Sequence, residues 1–244
     1  MDRLIETFRT ILLYMFLVCL MPIIIVFSIL RKKSIFYESP AIYMVGMQLI
    51  HGRNLDKRYA YIAEQIGYNA EVLEPGCGPA LLARYLKSGC VYRGFDINRE
   101  FVEYAQRAGL SVKAGNAVDP RSYVKSDVVV LCDLLHHIDP VAQEKVLKYS
   151  LSSARRKLII CEPFKIDSLL DALSERIKVF QRAVEVLFSC LDNDGGNGAR
   201  LEYIKDEEEL RKLMEEGFNV IPQGFKREIV QIGHDLIAVY YLTE

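Results

Sequence analysis

The sequence predicts an α/β fold, a mostly parallel sheet with helices on both faces, preceded by one transmembrane helix. Three observations lead there. Between residues 70 and 165, short apolar runs alternate with amphipathic helical patterns, the rhythm of βαβ units with right-handed crossovers. The stretch Val72-Leu73-Glu74-Pro75-Gly76-Cys77-Gly78-Pro79 reads as a strand, a tight glycine turn and the start of a helix. Residues 11–30 contain no charged side chain.

That apolar segment is taken first. Twenty residues at a helical rise of 1.5 Å span about 30 Å, the hydrocarbon thickness of a bilayer. A secretory signal would have a shorter apolar core and a small-x-small cleavage site, and Ser28-Ile29-Leu30-Arg31 is not one. A buried soluble helix would not be apolar on every face over such a length. Pro22 is tolerated inside a membrane helix. Arg31-Lys32-Lys33 forms the denser basic flank, so the positive-inside rule places everything after it in the cytoplasm. The expected organisation is a single-pass anchor at 1–33, a helical linker or cap at 34–69, and a catalytic domain at 70–244.

Within the linker, residues 34–50 carry apolar positions suited to a helix near the bilayer. Asn54 can cap a second helix running to Ile66, with Gly67 as its stop. The expected strands are 72–74, 91–95, 111–114, 127–132, 157–161, 219–225 and 235–242. Helices are expected at 79–87, at 99–108 behind an Asn98 cap, from Pro140 to about 153, and at 206–216. The run Asp127-Val128-Val129-Val130-Leu131-Cys132 has the unbroken apolar character of a strand buried on both faces. Residues 166–191 read as a long amphipathic helix, and the Asp/Asn/Gly-rich segment 192–198 as a loop without the spacing of a calcium-binding EF-hand.

Composition narrows the function. A formal net charge of −1 argues against a nucleic-acid binder driven by phosphate contacts. The six cysteines are scattered, with no C-x-x-C pair, so no metal site is expected and no disulfide framework has support. They read as reduced thiols in the core.

The chemistry-bearing positions recur at strand ends. Gly76 and Gly78 allow backbone to approach a polar ligand. Asp96 ends the second strand about twenty residues later, where a carboxylate can accept both hydroxyls of a ribose. Gly115-Asn116-Ala117 follows the third strand, Asp133 ends the fourth, and Glu162 ends the fifth. All lie at the carboxyl edge of the sheet, where open α/β folds bind ligands. A dinucleotide fingerprint would require a third glycine or alanine where this chain has Leu81.

The set Glu74-x-Gly76-x-Gly78, Asp96, Gly115-Asn116-Ala117, Asp133 and Glu162 resembles the class I S-adenosylmethionine-dependent methyltransferases, small-molecule branch. The resemblance covers residues 70–165 by motif. It implies a Rossmann-like seven-stranded methyltransferase sheet whose last strand is antiparallel, with S-adenosyl-L-methionine as cofactor. It assigns Glu74, Gly76, Gly78 and Cys77 to the methionine part, Asp96 to the ribose, and Ile97, Asn116 and Ala117 to the adenine. Asp133-Leu134-Leu135-His136-His137-Ile138 matches the strand-four motif, with Asp133 near the cofactor. The chain departs from many relatives in having Ala80 for a third glycine and Asn116 for an acid.

Methyl transfer from a sulfonium needs alignment and exclusion of water, and a general base only when the acceptor carries a proton. Candidates are His136, His137, Asp133 and Glu162, with a loop-bonding role for His137 as the alternative. Acceptor binding falls to 34–66 and 166–200. With the anchor, this favours a small lipophilic or membrane-associated acceptor, and no nucleic-acid partner. The stripe of 177–191 serves either core packing or a lid at the membrane, with Arg176, Lys178 and Arg182 near headgroups. A catalytically inactive, membrane-tethered S-adenosylmethionine-binding or scaffold protein is the competing reading, and a nicotinamide-dependent oxidoreductase the third.

Overall fold

The computed structural model describes residues 37–164 and 205–242, which fall into two units. Residues 37–52 hold helix α1 (Pro40–His51). Ser39 caps it by accepting from the backbone of Ile42, and Pro40 occupies the first turn, where a missing N–H costs nothing. No helix among the described residues is long and apolar enough to cross a membrane. The expected span at 11–30, the helix at 166–191 and the loop at 192–198 all lie outside the described residues.

The second unit is the α/β domain. Its helices are α2 (Arg53–Ile66), α3 (Arg99–Arg107), α4 (Pro140–Ser153) and α5 (Glu207–Glu215). Its strands are β1 (Glu71–Pro75), β2 (Val91–Asp96), β3 (Val112–Ala114), β4 (Ser126–Cys132), β5 (Ala154–Pro163), β6 (Arg227–Ile232) and β7 (Asp235–Tyr241). They form one seven-stranded sheet in the order β3-β2-β1-β4-β5-β7-β6. β1 to β5 pair in parallel, and β7 runs antiparallel to both its neighbours. The expected Rossmann-like sheet with an antiparallel last strand is thus present.

Strand periodicity explains the layers. Val129 and Leu131 of β4 share a core with Leu158, Ile160, Leu236, Ala238 and Tyr240, and with Val146 and Leu147 of α4 and Leu210 and Met214 of α5. The alternate positions Val128, Val130, Ile159, Cys161, Ile237 and Val239 are buried on the opposite face. α2 joins that face: Lys157 of β5 donates to the Gln65 carbonyl at 2.5 Å, and Tyr241 of β7 to the Gln65 side chain at 3.3 Å. Each such aliphatic side chain contributes about 1.5–3 kcal/mol on full burial, so the D-V-V-V-L-C run stabilises the sheet from both sides.

Three expectations are corrected. The helix expected at 79–87 is only a 3-10 turn, Leu81–Arg84. Ala80, at φ +59, takes a left-handed conformation that interrupts a right-handed helix, and the chain must return to β2 at Val91. The strand expected at 219–225 is instead irregular, and β6 begins at Arg227. Phe218 and Asn219 both have positive φ, Val220 and Ile221 donate back to the Gly217 carbonyl, and Pro222 has no N–H for a ladder. Asn54 lies inside α2 rather than ahead of it. α3, capped by Asn98, and α4, capped by Asp139, stand where the sequence places them.

Candidate active site

The strand order reverses between β1 and β4, whose neighbours lead away in opposite directions. This is the topological switch point at which open α/β sheets bind ligands. Gly76 at φ +65 and Gly78 at φ +53 form the turn after β1. A Cβ on Gly76 would lie 2.6 Å from Leu134 Cδ1, so the turn and the loop after β4 meet only because position 76 is bare.

Asp96 braces this turn. Its Oδ2 accepts the Gly78 N–H at 2.7 Å, and its Oδ1 accepts the Asn98 N–H at 2.7 Å. The Cys77 N–H donates to the Phe95 carbonyl at 3.1 Å, tying the turn to β2 a second time. Ile97, next in sequence, is 71 % exposed, a large apolar side chain offered at the sheet edge. Beyond β3, the Asn116 Oδ1 accepts from the Val118 N–H, while Ala117 is buried with its carbonyl accepting from Tyr123.

Glu74 and Cys77 face inward. Glu74 is 3 % exposed and accepts a hydrogen bond from the Tyr92 hydroxyl. Burial first, with Asp133 and Asp96 adding repulsion, pushes its carboxyl up to about 8. The Cys77 sulfur and the Tyr92 hydroxyl close over Gly94, where a Cβ would lie 2.8 and 3.0 Å from them. Cys77 is buried, and burial pushes its thiol up as well.

Asp133 follows β4 at φ +52, and its N–H donates to the Cys161 carbonyl at 3.0 Å. Its carboxylate is gripped by Arg58 of α2, with Nη1 to Oδ1 at 3.0 Å and Nη2 to Oδ2 at 2.5 Å. Arg58 Nη1 also reaches Asp235 Oδ1, at 3.1 Å. Arg58 and Asp235 are fully buried and the Asp133 side chain is 14 % exposed. Two-point binding by a guanidinium holds Asp133 in an ion pair. Motif and spacing do not single out Arg58. Its signal is nonetheless present in the sequence, since it falls on the buried stripe of α2 with Leu55, Tyr59, Ile62 and Ile66, where a cation requires a partner.

Glu162 organises the loop after β4. Its Oε1 accepts the N–H groups of Leu134 (2.9 Å) and Leu135 (2.7 Å), and its Oε2 lies 2.7 Å from His136 Nδ1. Glu162 is 2 % and His136 8 % exposed. Gln143 fastens the loop from α4 by donating to the carbonyls of Leu135 and Ile138, both at 2.9 Å. His137 is half-buried and its ring lies 4.1 Å from that of His136. The chain thus brings Glu74, Gly76, Gly78, Asp96, Asp133 and His136 to one sheet edge. Among the described residues no cluster of three or more His, Cys, Asp or Glu is arranged to hold a metal ion.

A protein-family model described as "Methyltransferase domain" matches residues 73–152, from β1 to the end of α4. Over those residues the chain is similar to a methyltransferase domain. No curated protein matches the sequence. Among solved structures, magnesium protoporphyrin IX methyltransferase from Synechocystis PCC 6803 with bound SAH superposes with a TM-score of 0.52 at 19 % identity, over 79 % of this chain and 84 % of that one. The methyltransferase domain of bacterial CtHen1-CN superposes at 0.51 and 15 % identity, over 78 % of this chain and 98 % of that one. At such identities the likeness is one of fold.

Proposed function

We propose that this protein transfers the methyl group of S-adenosyl-L-methionine to a small lipophilic acceptor at a membrane surface. The observation that carries the cofactor assignment is the brace between Gly78 and Asp96 at the switch point. Each Asp96 oxygen accepts one backbone N–H at 2.7 Å. An ionised carboxylate only accepts hydrogen bonds, and at the end of the second strand it is the group that suits ribose hydroxyls. Gly78, where a Cβ would meet nothing nearer than Phe101 at 3.9 Å, leaves room for a ligand close to the backbone, and exposed Ile97 offers an apolar surface for a planar base. The residues present fit the cofactor.

Bound there, S-adenosylmethionine supplies a methyl group on a sulfonium leaving group. The chain's own work is alignment and exclusion of water. The turn at 76–78 and Asp96 hold the ligand. Leu134, set against Gly76 and fixed by Glu162, forms an apolar wall. Where the acceptor is a hydroxyl, His136 takes its proton. Its Nδ1 pairs with Glu162, which sets the tautomer and leaves Nε2 as the basic nitrogen.

The acceptor class rests on the sequence. The uncharged segment 11–30 and the following Arg31-Lys32-Lys33 support a single-pass anchor with the catalytic domain on the cytoplasmic side. A tethered domain meets membrane-dissolved substrates at high effective concentration. The test is incubation of methyl-labelled cofactor and full-length protein with total lipid extract and, separately, with soluble metabolites. Label in the lipid fraction supports the reading. Label confined to water-soluble products, transferred equally well by residues 34–244 alone, removes the lipophilic acceptor.

A further inference from the structure

We propose that Arg58, on the helix ahead of β1, is a positioning residue of the methyl-transfer site: its two-point hold on Asp133 keeps Leu134 against the glycine turn and so favours cofactor binding. The inference rests on the cofactor reading above. It gives a part in the site to α2, which precedes the residues that match a methyltransferase domain.

Asp133 and Leu134 join β4 to the loop that carries His136. Asp133 has φ +52, a left-handed conformation in which a residue with a side chain is strained. Such a conformation persists where the surroundings over-determine it. Arg58 grips both carboxylate oxygens of Asp133, at 3.0 and 2.5 Å. The Asp133 N–H donates to the Cys161 carbonyl at 3.0 Å, and the Leu134 N–H to Glu162 Oε1 at 2.9 Å. The backbone is thus held from β5 and the side chain from α2. Leu134 then fills the space beside Gly76, where a Cβ would lie 2.6 Å from its Cδ1 and 3.2 Å from its Cδ2. Relaxation of Asp133 to negative φ would redirect the chain after it and draw Leu134 off the turn.

Arg58 is itself fixed in place. It is fully buried, and its Nη1 also donates to Asp235 Oδ1 at 3.1 Å. On the same helix, Tyr59 stacks on Tyr85 with ring centroids 5.4 Å apart, and Asp56 accepts from the Tyr85 hydroxyl at 2.5 Å. Tyr85 directly follows the 3-10 segment Leu81–Arg84. α2 therefore meets the chain beyond β1 through Asp56 and Tyr59, and the chain beyond β4 through Arg58. These are the two strands that flank the switch point. A guanidinium presents two N–H donors in the spacing of a carboxylate, whereas an ammonium is a point charge, so lysine keeps the charge at 58 and loses the grip.

The experiment is calorimetric titration of S-adenosylmethionine into the full-length protein, with each variant kept well below its thermal midpoint so that the folded fraction does not enter. Arg58→Lys should bind about tenfold more weakly than wild type. Asp235→Asn weakens the other ion pair of Arg58 but leaves the grip on Asp133, and should bind as wild type does. Adding Arg58→Lys to Leu134→Ala should cost no further affinity, because the side chain that Arg58 positions is already gone. A second measurement needs no variant. Coupling is reciprocal, so S-adenosylmethionine should slow amide hydrogen exchange of wild type in α2 around Arg58 as well as at the glycine turn. Unchanged affinity in Arg58→Lys overturns the inference. So does an equal loss in Asp235→Asn, an equal effect of Arg58→Lys with and without Leu134, or slowed exchange at the turn with none in α2. Each of these leaves cofactor binding intact. Absence of any S-adenosylmethionine binding to wild type overturns the cofactor reading itself, and this inference with it.

Discussion

The backbone N–H of Gly78 donates to Oδ2 of Asp96 over 2.7 Å, joining the turn after β1 to the end of β2. Asp96 also accepts from Asn98, whose side chain caps α3. One carboxylate thus sets the turn, the strand end and the helix start together. Asp96→Ala leaves both donors without that acceptor. A stability loss of about 1–3 kcal/mol is expected, read from the denaturant midpoint with an unchanged slope.

Gly76 combines a left-handed backbone with a close neighbour. Any Cβ there meets left-handed strain of about 1–2 kcal/mol and lies 2.6 Å from the Leu134 side chain. Gly67, at φ +82 with nothing within 4 Å of where a Cβ would stand, carries the strain without the contact. Chemical denaturation should show Gly76→Ala less stable than Gly67→Ala. Leu134→Ala placed on top of Gly76→Ala should recover only the difference between them.

Arg58 is held by charges distant in sequence, Asp133 and Asp235. Arg58→Met removes the cation that both carboxylates share and should cost about 3–5 kcal/mol. Asp133 and Asp235 then favour protonation in the folded state. The deficit should therefore shrink as pH falls, because acid neutralises them. Adding Asp133→Asn and Asp235→Asn should restore much of the stability at neutral pH, since a whole buried ionic group replaced by neutral side chains is often tolerated. Thermal unfolding at pH 5 and pH 8 reads both effects.

Glu162 carries two backbone N–H groups and the His136 ring at once. Glu162→Gln exchanges one acceptor oxygen for a donor and should lose about 1–3 kcal/mol of stability. Turnover on a hydroxyl acceptor should fall with His136→Gln by about 10²- to 10⁴-fold, the contribution of a general base, with cofactor affinity retained. Turnover unchanged in His136→Gln removes His136 from the chemistry.

Where local pattern and burial agree, the sequence is sufficient. The β4 run is apolar at nearly every position because both faces are covered. Asp139 and Pro140 start α4 where capping chemistry predicts, with Asp139 accepting from Val141 and Ala142. The glycine turn and Asp96 are legible because strand ends and glycines are local features. Less legible is anything set by distant contacts. Ala80 takes a glycine-like conformation with no glycine to announce it. Val220 and Ile221 look strand-like and suggest an earlier start for β6, yet they bond back to Gly217. Arg58 reaches partners 75 and 177 residues away, and no window of sequence reports such pairing. Asp133 stands at the expected edge, but its partner decides what it can do.

The most direct test of the central claim is calorimetric titration of S-adenosylmethionine into the full-length protein and into Asp96→Ala. The account predicts saturable binding to wild type, weakened about 10- to 150-fold in the variant, the worth of hydrogen bonds to a charged acceptor. No binding to wild type, or equal affinity in Asp96→Ala, would contradict it.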